Sequence, residues 1–159
     1  MKHFLFIAFA GCPAPSSGDL TPHECEECDL VRQAFSGHTP WSLPRATIHE
    51  HFGDLPLLSP AAFRYFLPAY LHLALHCEPG TLDEEVRQFS IYSLLPSTTS
   101  DSAWFEARFR AFTPSELAAL VQALEVFATD PRHEYDRDEA REALTFWRDA
   151  LARSTPVGA

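Results

Sequence analysis

Apolar side chains recur every three or four positions along most of this chain, and the runs begin and end on recognisable signals. Between Pro60 and Cys77, the residues Phe63, Phe66, Leu67, Tyr70, Leu71, Ala74 and Leu75 fall at helical spacing. Between Arg137 and Arg153, Ala140, Leu144, Trp147 and Leu151 make a three-four pattern on an otherwise charged segment. Shorter runs predict helices over Pro22–Phe35, Ala46–Phe52, Leu82–Leu95 and Pro114–Ala128, with a first helix in the apolar run after His3. Over Ala103–Phe112 the aromatic positions fit a helix, although Phe105, Ala107, Phe109 and Ala111 also alternate as a strand would. Helix is the preferred reading there.

Three starts share one chemistry. Thr21-Pro22-His23-Glu24 and Thr113-Pro114-Ser115-Glu116 each offer a hydroxyl N-cap, a proline in the first turn and a glutamate at the third position. Ser59-Pro60 repeats the first half. Gly37, Gly53 and Pro79-Gly80 supply stops, and Pro68 should kink the long helix by removing one backbone bond. The predicted fold is therefore all-α, an irregular single-domain bundle of about six or seven helices over residues 1–155. Residues 156–159 read as a frayed end and Pro96–Asp101 as a polar loop.

At 159 residues the chain can bury a sizeable core, and thirteen Phe, three Trp and four Tyr supply its bulk. Twenty-two acidic against twelve basic residues give a formal charge of −10. Such a surface argues against nucleic acid as a partner and favours cations or a basic protein partner. No run approaches the ~20 apolar residues of a membrane span. The N-terminal run ending at Cys12 resembles a lipoprotein signal, but its single early cation, its short apolar stretch and Phe9 near the would-be cleavage box oppose that. It reads as the first helix of a cytoplasmic protein.

The chemistry concentrates in His23-Glu24-Cys25-Glu26-Glu27-Cys28. Three readings compete. Cys25, Cys28, Val31 and Phe35 lie on one helical stripe, so the cysteines can be core. Alternatively His23, Cys25 and Cys28 begin a metal site, with zinc the expected ion and Cys12, His38 or Cys77 the candidate fourth ligand. The third reading is a redox dithiol. It comes last because a helix starting at Pro22 would leave Cys25 inside its capped first turn, with four carboxylates nearby to raise the thiol pKa.

Elsewhere, His72 and His76 are four apart and share a face with Tyr65 and Pro68, which makes the long helix a candidate pocket. No glutamate stands between those histidines to act as a hydrolytic base. His49-Glu50-His51 would chelate only in an extended strand. Arg108 and Arg110 beside Trp104 and Phe105 could grip an anion, and Glu134, Asp136, Asp138 and Glu139 read as an exposed loop and helix start.

Several elements in order resemble a known family. They are Ala8-Phe9-Ala10-Gly11, His23-x-Cys25-x-Glu27-Cys28, Phe66-Leu67-Pro68-Ala69-Tyr70-Leu71 and Phe109-x-x-Phe112-Thr113-Pro114. Together they resemble a family of small bacterial proteins catalogued as a domain of unknown function, over residues 4–128. That resemblance implies an N-terminal helix belonging to the domain and carries over no activity. Three functional classes follow. The first is a small binding or interaction protein with a zinc site at His23, Cys25 and Cys28. The second is an enzyme using an imidazole near Tyr65, Pro68, His72 and His76, and the third is an immunity-type or regulatory partner of a basic protein.

Overall fold

A computed structural model describes residues 3–96 and 102–154. Eight α-helices run through them, with no strand among the described residues: α1 (His3–Phe9), α2 (Glu26–Phe35), α3 (Arg45–Glu50), α4 (Pro60–Leu75), α5 (Asp83–Tyr92), α6 (Ser102–Ala111), α7 (Pro114–Thr129) and α8 (Arg137–Ser154). The chain is an all-α helical bundle, with one helix or two more than its sequence pattern suggested. Ala103–Phe112 resolves as helix. The frayed end expected at 156–159 and most of the loop expected at Pro96–Asp101 lie outside the described residues.

Helix α4 is the centre. Its residues Ala62, Phe63, Phe66, Leu67, Tyr70, Leu71 and Ala74 are all buried, and α1, α5, α6 and α7 pack around it. Ser59 caps it, accepting from the Ala62 amide at 3.1 Å, with Pro60 in the first turn. The helix continues through Pro68 to Leu75. Helix α7 carries the complete capping box: Thr113 Oγ1 accepts from the Glu116 amide at 3.3 Å, and Glu116 Oε2 accepts from the Thr113 amide at 2.7 Å. Both starts are as the sequence writes them. Gly37, at φ 77°, takes the left-handed conformation that ends α2.

The start of α2 is a correction. Its first helical residue is Glu26 and its N-cap is Cys25, so the box written at Thr21–Glu24 does not form. Tertiary bonds claim Thr21 instead. The Arg32 guanidinium donates to the Thr21 hydroxyl and, at 2.9 Å, to the His23 carbonyl, while Thr21 itself donates to His23 O at 3.3 Å. Residues 21–24 are held non-helical against the side of the helix they were expected to begin.

The last two helices form a hairpin that closes the core. Trp147 is buried against Phe105, Phe109, Phe112 and Phe146 and donates through Nε1 to Leu94 O at 2.7 Å. Asp136, expected to be exposed, is buried and paired with buried Arg87, which also lies over the Phe127 ring. Arg108, read as able to grip an anion beside Trp104 and Phe105, is enclosed instead. It is buried between Phe63 and Trp104, donates to Pro56 O, and is pulled down to about 10 by burial. It braces the 55–58 turn to α6 instead of facing solvent, whereas Arg110 pairs with Glu106 on the surface. No described helix is long and apolar enough to cross a membrane.

Candidate functional site

The Cys-x-x-Cys element sits where α2 begins. Because the helix starts at Glu26, Cys25 occupies the N-cap with extended backbone, at φ −151° and ψ 165°. Its exposed sulfur accepts from the Cys28 amide at 3.4 Å. Cys28, one turn later, is 1% exposed and faces the core with Val31 and Phe35. The pair is thus asymmetric, with one accessible thiol and one buried thiol beside it. Hydrogen bonding to Cys25 first, and burial second, push the Cys28 thiol above its ordinary range, while Thr21 and Arg32 act the other way. Both cysteines are free thiols.

The proposed metal ligands are only partly gathered. Cys25 and Cys28 adjoin, but His23 is exposed in the segment before them, with its carbonyl held by Arg32. Cys12 stands near Arg64 and Glu116, and Cys77 near Asp83, Glu84 and Arg87. His38 lines a narrow cleft of about 30 Å3 with Phe35 and Tyr65. Among the described residues, no three His, Cys, Asp or Glu side chains are grouped so as to hold a metal ion.

The candidate pocket on α4 is divided. Tyr65 belongs to the narrow cleft, Pro68 is buried, and His72 lines a separate groove of about 210 Å3 with Trp41, Leu43 and Arg45. The rings of His72 and His76 lie 4.7 Å apart, and His76 Nδ1–H donates to His72 O at 2.7 Å. His49 and His51 go separate ways. His49 is bonded to buried Asp83 at 2.7 Å, and His51 Nδ1–H donates to Asp54 at 2.7 Å. Residues 45–50 are helical, which separates the ring directions that a strand would have aligned.

Three further polar clusters were not anticipated. Asp83 receives both Arg45 and His49. His133 is fully buried, with Nδ1 3.7 Å from a Glu84 oxygen. The His51–Asp54 pair lines an open groove of about 440 Å3 beside α2, together with Glu27, Leu30, Glu50, Pro56 and Leu57. The first two join residues more than thirty positions apart, and the groove brings His51 and Asp54 beside residues of α2, beyond the reach of spacing. The three-residue step from His51 to Asp54 is the only local signal among them.

No curated protein and no solved structure matches the chain. The model of a family of unknown function, DUF6714, matches residues 20–151. It extends into α8, beyond the residue 128 where the sequence resemblance ended, and it begins after the Ala8-Phe9-Ala10-Gly11 element. With the Cys-x-x-Cys element, helices α2 to α7 and most of α8 inside the matched span, the chain belongs to the DUF6714 family of unknown function.

Proposed function

We propose that the Cys25–Cys28 pair is the working group of this protein and that its chemistry is dithiol–disulfide exchange. The observation carrying this is the asymmetry at the start of α2: an exposed sulfur at the N-cap with a buried sulfur one turn behind it. An accessible thiol can open a disulfide and an adjoining thiol can then resolve the mixed disulfide. The Cys25 thiolate attacks one sulfur of a disulfide R–S–S–R′, forming Cys25–S–S–R and releasing R′S−. The Cys28 thiol then loses its proton and attacks Cys25 Sγ, releasing RS− and leaving a Cys25–Cys28 disulfide. Two electrons pass from the pair to the substrate. Cα atoms three residues apart on a helix fall within the roughly 4.4–6.8 Å a disulfide spans.

Of the features that count against exchange, the helix start at Pro22 does not form, whereas Glu24, Glu26, Glu27 and Asp29 still surround the pair. With α2 beginning at Glu26, Cys25 stands at the tip of the helix with its side chain open to a disulfide substrate. Zinc binding at His23, Cys25 and Cys28 is the second reading, favoured by Glu24, Glu26 and Glu27 around the pair, which attract a dication. It needs His23 to turn toward the sulfurs and a ligand from outside the described grouping.

Native thiol titration paired with metal analysis separates the two. Exchange predicts one fast thiol, Cys25, no stoichiometric metal, and an oxidised form in which Cys25 and Cys28 are linked. About one zinc per chain with both thiols silent until chelation would replace exchange with the metal reading. Two silent thiols without metal would remove both.

A further inference from the structure

The groove on the flank of α2 is the feature that says most about what would be brought to the cysteine pair. Its wall carries Leu30, 56% exposed, with Pro56 and Leu57 across from it, so its lining offers apolar contact. Its charged side chains are all carboxylates: Glu27, Glu50 and Asp54. Asp54 is engaged by His51, but Glu27 and Glu50 are exposed and make no ion pair among the described residues. Glu27 lies in the first turn of α2, between the two cysteines that open the helix. The groove and the dithiol therefore meet at one residue. From Cys25 to Leu30 the helix rises about 7.5 Å. An extended chain covers that distance in two or three residues.

We propose that this groove binds a basic segment of a polypeptide, with an Arg or Lys side chain set against Glu27 and Glu50 and an apolar neighbour against Leu30 and Leu57. The disulfide presented to Cys25 then lies two or three residues from that apolar neighbour. Charge complementarity selects this occupant: an acidic peptide would meet three carboxylates in a chain whose formal charge is −10. A purely apolar segment would leave the carboxylates to be desolvated without partners. The substrate class depends on the exchange reading; the binding of a basic segment does not.

Two measurements on the full chain keep those parts distinct. The first uses reduced protein and fluorescein-labelled, cysteine-free peptides, Gly-Arg-Leu-Arg-Gly and Gly-Glu-Leu-Glu-Gly, followed by anisotropy. The basic peptide is expected to bind, its affinity to fall as salt is raised, and the acidic one not to bind. Glu27→Lys with Glu50→Lys should weaken binding of the basic peptide by about tenfold or more, and Glu27→Gln with Glu50→Gln by less. Both positions are exposed, and circular dichroism checks that the variants fold. Equal binding of the two peptides, or unchanged binding after charge reversal, overturns the groove assignment. The second measurement follows reduction of the same two peptides carrying a disulfide. Faster reduction of the basic one supports the substrate class, and equal rates overturn it. If the basic peptide binds but neither disulfide is reduced, the groove stands as a docking site and the exchange reading falls.

Discussion

The Cys25 sulfur accepts a hydrogen bond from the Cys28 amide at 3.4 Å, so one cysteine caps the helix in whose first turn the other is buried. The same atom thus holds a structural position and an accessible one. Cys25→Ser should separate these roles. Serine is a better N-cap than most residues, so thermal stability should hold or rise slightly, while exchange with a disulfide substrate should disappear. Cys25→Ala should lose both, with a stability cost of up to about 1 kcal/mol. If C25S retained full exchange activity, Cys25 would not be the attacking thiol.

Arg87 and Asp136 test how much of the core is polar by necessity. Both side chains are 1% exposed, and Arg87 donates to Asp136 at 2.8 and 3.1 Å and to Phe127 O at 3.1 Å. Removing either partner strands a buried charge. Asp136→Ala or Arg87→Ala should therefore cost about 3–5 kcal/mol in denaturant unfolding. Replacing both with apolar residues of similar volume should cost much less than the sum of the single changes, because no buried charge is then left alone.

Glu116 closes the α7 capping box and also takes a bidentate contact from Arg64 at 2.9–3.1 Å. Thr113→Ala removes only the cap and should cost about 1 kcal/mol. Glu116→Ala removes cap and ion pair together and leaves the largely buried Arg64 unpaired, so its loss should be clearly larger, about 3 kcal/mol. Equal losses would mean that the Arg64 contact contributes nothing to stability.

Cys77 gives a pH signature. Burial, followed by the nearby Asp83 carboxylate, pushes its thiol up to about 11 from an ordinary 9.0. The folded state therefore holds this proton more tightly than the unfolded chain. Its contribution to stability is complete below pH 9 and is lost as the pH rises through 11. Chemical denaturation should show a decline across that window that is smaller in Cys77→Ser. At pH 8, Cys77 should react with a thiol reagent far more slowly than Cys25.

Asp130 gives the opposite sign. The Arg132 side chain, bonded to it at 2.8 and 3.0 Å, holds its carboxyl down to about 2. The stability this brings is present above the unfolded carboxylate range and is lost as the pH falls through 2. Arg132→Gln should move the Asp130 titration upward, as followed by carboxyl NMR shifts. An unmoved titration would assign the depression to the backbone instead.

Sequence alone determined much about this protein. The three-four spacing of Phe63 through Leu75 and of Ala140 through Leu151, the Ser59-Pro60 and Thr113-Pro114-x-Glu116 starts and the Gly37 stop are local signals, and each stands in the structure where it was written. They are local because a cap or an amphipathic stripe involves residues within one or two turns. Only the tertiary structure decided where α2 begins. Thr21 has the right neighbours for a cap, but Arg32, eleven residues away, takes its hydroxyl and holds the segment open. That single competition moved Cys25 from inside a helix to its exposed tip and changed the chemistry open to it. Arg87 with Asp136, Arg108 between its rings and the acidic groove beside α2 were equally out of reach. Their partners meet only once α4 and its neighbours have packed, and no spacing along the chain records which charges that packing encloses.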